Sequence, residues 1–254
     1  DVCSSDLNPM QTVVMAPVIP DVEAFRQRFD LDVFTTFNMT EINCPVISAP
    51  TLCNAQNYRS CGKVRDGVEV RIVDDNDIEV PPNTPGEMIV RGDPWELNAG
   101  YWNMPDKTVE AWRNGWFHTG DAFTYDEDGN FYFVDRAKDY IRRRGENISS
   151  FEVEAIVNQH PAVAESGAAA VPADQGEDEV KIAVVLNPDA DFDPAELIEF
   201  LTPRMPRFAI PRFVEIWEEL PKTEATARIQ KAKIRDSGVS EITWDRFEKN
   251  QTTR

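Results

Sequence analysis

The sequence predicts an α/β segment followed by a smaller α+β domain, and three patterns indicate this fold class. A strand, a helix and a second strand alternate over residues 11–37, which is typical of the edge of a parallel sheet. Strands separated by turns then occupy much of residues 68–136. A further set of strands and helices follows residue 149, and it is long enough to fold on its own.

The first elements are predicted by apolar runs and by a helix-start signal. Residues 11–20 form an apolar run that ends in a proline-bounded loop, and residues 31–37 form a second strand. Asp21 is placed to cap the short helix between them. Thr40 and Glu41 follow the second strand, at the end where parallel sheets bind ligands.

The next part is predicted to be a small antiparallel sheet or barrel. Strands at residues 68–73 and 87–91 flank a turn-rich segment. Residues 105–113 predict a helix that ends near Gly115. The pair Asp128-Gly129 lies between aromatic and β-branched runs, and such a pair tolerates the positive φ of a tight hairpin turn.

The C-terminal domain is predicted from two helix starts and three strands. Ser149 lies three residues before Glu152, which is the spacing of a capping box for a helix over residues 150–159. Asp193-Pro194 marks the start of another helix, which runs to about Leu201. The strands are predicted at residues 162–171, 180–186 and 213–218.

Charge and cysteine content narrow the classes of function. The chain has 254 residues, with 45 acidic side chains against 26 Lys and Arg, and a net charge of −19 disfavours nucleic acid and anionic membranes as partners. No apolar run approaches the length of a membrane span. The four cysteines form no CxxC pair, and a chain of this length needs no disulfide framework, so a reducing cytoplasm is expected.

Residues 117–154 are the most informative stretch of the chain. The predicted hairpin is followed by a run of cations in an otherwise acidic protein, which indicates a polyphosphate or another anionic ligand. The alternative is a hairpin with a solvated basic flank, and spacing alone leaves both open. The cations of this run are Arg136, Lys138, Arg142, Arg143 and Arg144.

Four ordered motifs carry a resemblance to a known family. They are FNMTE at 37–41, the run from GYWNMP to TGD at 100–121, DRAKDYIRRRGENIS at 135–149 and LPKTEATARIQKAKIR at 220–235. In these motifs the chain resembles the adenylate-forming superfamily, and within it the acyl-CoA ligases of the crotonobetaine/carnitine type. The resemblance implies the C-terminal part of the family's N-terminal domain, with a sheet edge and a small β-barrel subdomain, and then a small mobile α+β domain.

The resemblance also implies an activity and its cofactors. It implies an ATP-dependent carboxylate–CoA ligase that forms an acyl-adenylate and then an acyl-CoA thioester, with ATP, Mg²⁺ and coenzyme A. A small-molecule carboxylate is the implied substrate, but its identity and the oligomeric state stay open. Two other interpretations stay open as well: an adenylation domain that loads a carrier protein, and a non-catalytic remnant that binds nucleotide or CoA.

Five site residues are implied by the match to these motifs. Glu41 matches the metal-binding glutamate, and Thr40 beside it would contact a phosphate. Asp121 matches the aspartate that accepts the ribose hydroxyls, although alone it would be taken for a hairpin-turn carboxylate. Arg136 matches the arginine that contacts the nucleotide. Lys138 matches the hinge of the mobile domain, although alone it would be taken for a solvated lysine.

The remaining matches include departures from the family pattern. Gly145 matches the loop along which pantetheine passes, where a missing side chain allows close approach. Arg228 occupies the place of the family's adenylation lysine, and Lys231 is a second candidate if the alignment shifts. Phe37 and Asn38 replace the usual tyrosine-glycine pair.

The sequence also predicts that the chain is a piece of a longer protein. Residues 1–7 read as the translation of a widely used sequencing adapter, residues 8–138 as a partial N-terminal AMP-binding domain, and residues 139–254 as the C-terminal domain. The superfamily's glycine-rich triphosphate loop has no counterpart in the sequence. We therefore expect these residues alone to be inactive in the first half-reaction.

Overall fold

The computed structural model describes residues 10–49, 57–143, 146–172, 178–224 and 227–248. Contacts divide the chain into two compact units, Asp1–Ala137 and Lys138–Arg254. The predicted domain boundary after residue 138 is one residue away from this division. The predicted adapter segment, residues 1–7, and the predicted pantetheine-loop residue Gly145 lie outside the described residues.

The first unit is built mainly from strands. Its helices are α1 (Val22–Phe29) and α2 (Pro105–Ala111). Its strands are β1 (Thr12–Val14), β2 (Asp32–Phe34), β3 (Thr36–Met39), β4 (Asn43–Ile47), β5 (Ser60–Val64), β6 (Glu69–Val73), β7 (Gly86–Arg91), β8 (Trp112–Arg113), β9 (Trp116–Tyr125) and β10 (Phe131–Arg136).

The first unit contains a parallel strand pair and an antiparallel sheet. Strands β1 and β2 pair in parallel around α1, which confirms the predicted parallel edge. The antiparallel sheet has the order β3-β4-β5-β10-β9-β7-β6, with β8 beside β9. The prediction of one continuous strand over residues 31–37 is wrong. The chain leaves the parallel pair at Thr35, whose N–H donates to Ser48 Oγ at 2.8 Å, and β3 then pairs antiparallel with β4.

Aromatic side chains fill the core of this sheet. Phe117 and Phe123 are almost fully buried, and the ring of Phe37 meets that of Phe123 edge-on at 4.8 Å between centroids. Phe37 therefore packs as a ring where the family has a tyrosine. The predicted helix over residues 105–113 ends at Ala111, because Trp112 instead pairs with Phe117 across the β8–β9 turn.

The second unit packs helices on a four-stranded sheet. Its helices are α3 (Ser150–Val157), α4 (Pro194–Leu201) and α5 (Lys231–Asp236). Its strands are β11 (Ile141–Arg143), β12 (Glu146–Ile148), β13 (Val163–Pro172), β14 (Asp178–Leu186), β15 (Phe213–Ile216) and β16 (Trp244–Asp245). The sheet order is β13-β14-β15-β16, and β11 and β12 form a separate hairpin.

Both predicted helix caps of the second unit are confirmed. Ser149 Oγ accepts a hydrogen bond from the N–H of Glu152 at 3.2 Å, and Asp193 Oδ1 accepts one from the N–H of Ala195 at 2.8 Å. The helices begin at Ser150 and Pro194 as a result. Across the residues that the structure describes, no helix is both long enough and apolar enough to cross a membrane.

Candidate functional site

The β9–β10 hairpin brings two of the predicted site residues into contact. Asp121 and Arg136 are cross-strand partners, and Arg136 Nη1 lies 2.8 Å from Asp121 Oδ1. The Asp121 side chain is 4% exposed, whereas that of Arg136 is 36% exposed. A carboxylate so placed can accept hydrogen bonds from two hydroxyl groups, and the planar guanidinium suits an oxygen-rich ligand.

A bulge in β9 determines where Asp121 lies. On the neighbouring strand β7, Glu87 pairs with Ala122 and Ile89 pairs with His118. The three residues 119–121 of β9 therefore face one residue of β7. Extra residues of this kind bend a strand and change the direction of its side chains, and they are common beside active sites.

Thr40 and Glu41 form the turn between β3 and β4. They follow a strand end as predicted, but the strand belongs to an antiparallel hairpin and not to the parallel pair. Glu41 Oε1 accepts a hydrogen bond from Tyr101 Oη at 3.0 Å, and the Glu41 carbonyl accepts one from Asn98 N–H at 2.8 Å. Burial, together with this bond to Glu41, raises the pKa of Tyr101.

Sequence reasoning missed the contact between Tyr101 and Glu41. Tyr101 lies inside the motif at 100–121, but nothing in its spacing indicates a partner 60 residues upstream. The contact ties the Glu41 turn to the loop that precedes α2.

The oxygen atoms at the Glu41 turn suit a magnesium ion that is shared with phosphate oxygens. Among the described residues, no group of three or more His, Cys, Asp or Glu could hold a metal ion. Mg²⁺ commonly uses one or two carboxylates together with phosphate oxygens and water. The Glu41 carboxylate and the Thr40 hydroxyl are hard oxygen donors that fit such a shared ion, and they do not make a closed protein cage.

Two neighbouring cations of the run, Arg142 and Arg143, lie in different surroundings within the second unit. Arg143 is buried in the second unit, where its Nε lies 2.6 Å from Glu179 Oε2 and its Nη1 donates to the Phe208 carbonyl at 2.7 Å. Arg142, next to it on β11, is exposed and lies over the ring of Tyr140. Successive residues of a strand face opposite sides, so one cation is internal and the other is not. The interpretation of this run as one anion-binding cluster is therefore wrong for Arg143.

Lys138 is the first residue of the second unit. Its side chain is exposed, and its carbonyl accepts a hydrogen bond from Arg235 Nη2 at 2.5 Å. Its assignment as a hinge stays a prediction.

Arg228 and the alternative candidate, Lys231, differ in their exposure and in their partners. Arg228 is exposed, its N–H donates to Thr223 Oγ1 at 3.1 Å, and Ala227 before it has a φ of 51°. Lys231 Nζ, in contrast, lies 3.0 Å from Glu154 Oε1, and its side chain is only 11% exposed. The charge of Lys231 is therefore used inside the second unit, while that of Arg228 faces solvent.

Comparisons with known proteins agree with the motifs. The sequence pattern of the family described as "AMP-binding enzyme" matches residues 2–102, and that of "AMP-binding enzyme C-terminal domain" matches residues 152–226. The long-chain-fatty-acid–CoA ligase of Escherichia coli O6:H1 is 36% identical over 206 residues, which cover 81% of this chain and 36% of that protein. The crotonobetaine/carnitine–CoA ligase of Salmonella arizonae is 33% identical over 206 residues, which cover 80% of this chain and 40% of that protein. The chain thus spans well under half the length of these curated relatives.

Solved structures show the same similarity. The O-succinylbenzoate coenzyme A synthetase of Bacillus subtilis, in complex with AMP, matches with a TM-score of 0.73 and 26% identity, over 91% of this chain and 47% of that one. The ATP-bound MatB of Rhodopseudomonas palustris matches with a TM-score of 0.68 and 27% identity, over 90% of this chain and 45% of that one.

Proposed function

The chain belongs to the adenylate-forming superfamily of AMP-binding enzymes, and we propose that it acts in the ATP-dependent ligation of a carboxylate to coenzyme A. In this reaction a carboxylate oxygen attacks the α-phosphorus of ATP and pyrophosphate leaves, which gives an acyl-adenylate. The thiol of coenzyme A then attacks the acyl carbon and AMP leaves, which gives the thioester. The observation that carries the proposal is the contact between Asp121 and Arg136 at 2.8 Å.

Asp121 and Arg136 are the proposed nucleotide-binding pair. A buried carboxylate can accept both ribose hydroxyls of AMP, since its two oxygens offer several lone pairs. Arg136 is exposed enough to reach ligand oxygens while it stays in contact with Asp121. Hydrogen bonds to charged groups are stronger than those between neutral groups, so this pair would supply much of the nucleotide affinity.

Thr40 and Glu41 are the proposed phosphate and metal contacts. Glu41 would share a magnesium ion with the phosphates of ATP, and the ion would neutralise charge on the leaving pyrophosphate. The bond from Tyr101 holds one oxygen of the Glu41 carboxylate in place. Thr40 is exposed at the same turn, where its hydroxyl could donate to a phosphate oxygen.

Three proposed roles belong to the second unit. Arg228 would bring a positive charge to the carboxylate and the α-phosphate during adenylation, and its exposed position favours it over Lys231. A guanidinium is bulkier than the family's ammonium, so adenylation would be slow relative to a lysine enzyme. Lys138 is proposed as the hinge, and Gly145 as the point where pantetheine passes.

Nucleotide binding can be tested on the chain itself. We expect AMP to bind, and we expect Asp121→Ala to weaken binding by about tenfold to hundredfold, which is the loss of one or two hydrogen bonds to a charged group. The matched control is Glu127→Ala, which removes an exposed acid from the turn of the same hairpin. Titration calorimetry measures both. An affinity that is equal in the two variants would contradict the proposed site.

The ligase activity can be tested on the complete product of the gene that encodes this chain. The assay measures pyrophosphate release and thioester formation with long-chain fatty acids and carnitine-type acids, the substrate classes in the names of the relatives. Acid-dependent release of both products supports the proposal. Pyrophosphate release without transfer to CoA would favour a domain that loads a carrier protein. No release with any acid, including in Arg228→Lys, would favour a non-catalytic nucleotide-binding protein.

A further inference from the structure

Side-chain hydrogen bonds hold the bulge that carries Asp121. The N–H of Gly120 donates to Glu87 Oε1 at 2.9 Å, and the φ of Gly120 is 69°, a left-handed conformation that favours glycine. Thr119 Oγ1 donates to the Met88 carbonyl at 2.7 Å and accepts from the N–H of Asp121 at 3.1 Å. These bonds stand where a regular strand pair would have main-chain ladder bonds.

Glu87 contacts β9 at two points, one of them in the bulge. While Oε1 accepts from Gly120, Oε2 lies 2.9 Å from Nδ1 of His118, whose side chain is only 3% exposed. Arg113 Nη2 lies 3.4 Å from the same Oε2 and helps to hold the carboxylate. One carboxylate on β7 therefore joins two positions of β9 that are two residues apart, immediately before Asp121.

We propose that Glu87 is a positioning residue that fixes the direction of the Asp121 carboxylate. This inference rests on the proposed function, in which Asp121 accepts the ribose hydroxyls of the nucleotide. A bulge lacks part of the strand ladder, so its side chains point in one direction only if other bonds fix the turn. A small misplacement of a functional group can reduce its effect by as much as about a hundredfold. The hydrogen bond between Glu87 and Gly120 is therefore important for nucleotide affinity.

The test separates the reach of the Glu87 side chain from its charge. E87Q keeps the reach, since its amide oxygen can still accept from Gly120, but it removes the charge. E87D keeps the charge but shortens the side chain by one methylene, so we expect it to lose the contact with Gly120. We expect E87D to weaken AMP binding by about tenfold and E87Q to retain affinity within about threefold. The control is E69A, which removes an exposed ion pair with Arg91 from the same sheet.

A second ligand shows whether the effect acts through the ribose hydroxyls. We expect E87D to leave the binding of 2′,3′-dideoxyadenosine monophosphate unchanged, because that ligand has no hydroxyls for Asp121 to bind. Equal losses for the two ligands would overturn the positioning role, as would a loss in E87Q with none in E87D. If Glu87 had a purely structural role, E87D would weaken the binding of both ligands by the same factor.

Hydrogen exchange at Gly120 provides a readout that needs no ligand. We expect the Gly120 amide to exchange at least about tenfold faster in E87D than in the unchanged chain, because its acceptor is lost. An unchanged exchange rate would overturn the inference. Failure of the unchanged chain to bind AMP would overturn the proposed function and the ribose part of this inference, whereas E87D binding AMP normally would overturn only the role of Glu87.

Discussion

The buried ion pair between Arg143 and Glu179 gives the sharpest test of how the second unit is stabilised. Both side chains are 7% exposed, and Arg143 also donates to the Phe208 carbonyl. Arg143→Ala would remove the guanidinium from beside the buried Glu179 carboxylate, and breaking such a pair costs about 3–5 kcal/mol. Arg142→Ala on the opposite face removes an exposed contact with Tyr140, and such a contact is worth at most about 1 kcal/mol.

The free energy of unfolding is measured with urea on residues 138–254, with the fluorescence of Trp217 and Trp244 as the signal. Both tryptophans are partly buried against the core of this unit, so unfolding changes their surroundings. The paired change Arg143→Met with Glu179→Leu should recover most of the stability, since two apolar side chains of similar size need no counter-charge. Equal losses in Arg143→Ala and Arg142→Ala would refute this reasoning and return Arg143 to the group of ligand-binding candidates.

Three further predictions concern other parts of the chain. Ala227→Gly should stabilise the second unit by about 0.5–1 kcal/mol, because alanine pays a steric cost in the left-handed region; a lower thermal midpoint would contradict it. Burial opposes ionisation of Glu215, but hydrogen bonds, chiefly that from Lys181, outweigh it and lower its pKa. Because the pKa of Glu215 is lower in the folded than in the unfolded state, its ionised form stabilises the fold above the unfolded pKa of about 4.3, and this stabilisation is lost as the pH falls below that value. As the pH is lowered from about 6 to about 3, the free energy of unfolding should therefore fall less steeply in Glu215→Gln than in the unchanged chain. Tyr101→Phe should lower the free energy of unfolding by about 1 kcal/mol, because it loses the hydrogen bond to Glu41. A double-mutant cycle with Glu41→Ala should show coupling between the two side chains, and additive effects would count against the bond.

Several features whose partners lie close in sequence could be predicted, although Asp21 precedes α1 without the predicted side-chain cap bond. The cap at Ser149 bonds an N–H three residues away, and the cap at Asp193 bonds one two residues away. The turn at Asp128-Gly129 joins two strands that pair directly with each other. In each case the residues that form the bond belong to one short segment, so composition and spacing contain the needed information.

Features that depend on distant partners could not be predicted. Strand β5 carries a glycine and a lysine, has no clear apolar alternation, and pairs with β10, about 70 residues further along the chain. Arg142 and Arg143 look alike in the sequence, and only the packing of β11 against the second unit buries one of them. Glu87 lies within a predicted strand, where nothing distinguishes it from a solvated acid.

The sequence by itself determined the chemistry that is available, since the ordered motifs identify the superfamily and make Asp121, Arg136 and Glu41 candidate site residues. The tertiary structure alone decided which of these side chains touch, which cation is internal, and that Glu87 and Tyr101 bond to Gly120 and Glu41. The physical reason is the distance along the sequence between the groups that interact. Capping and turn bonds form within a few residues, whereas burial and strand register depend on segments that are brought together only when the sheet forms.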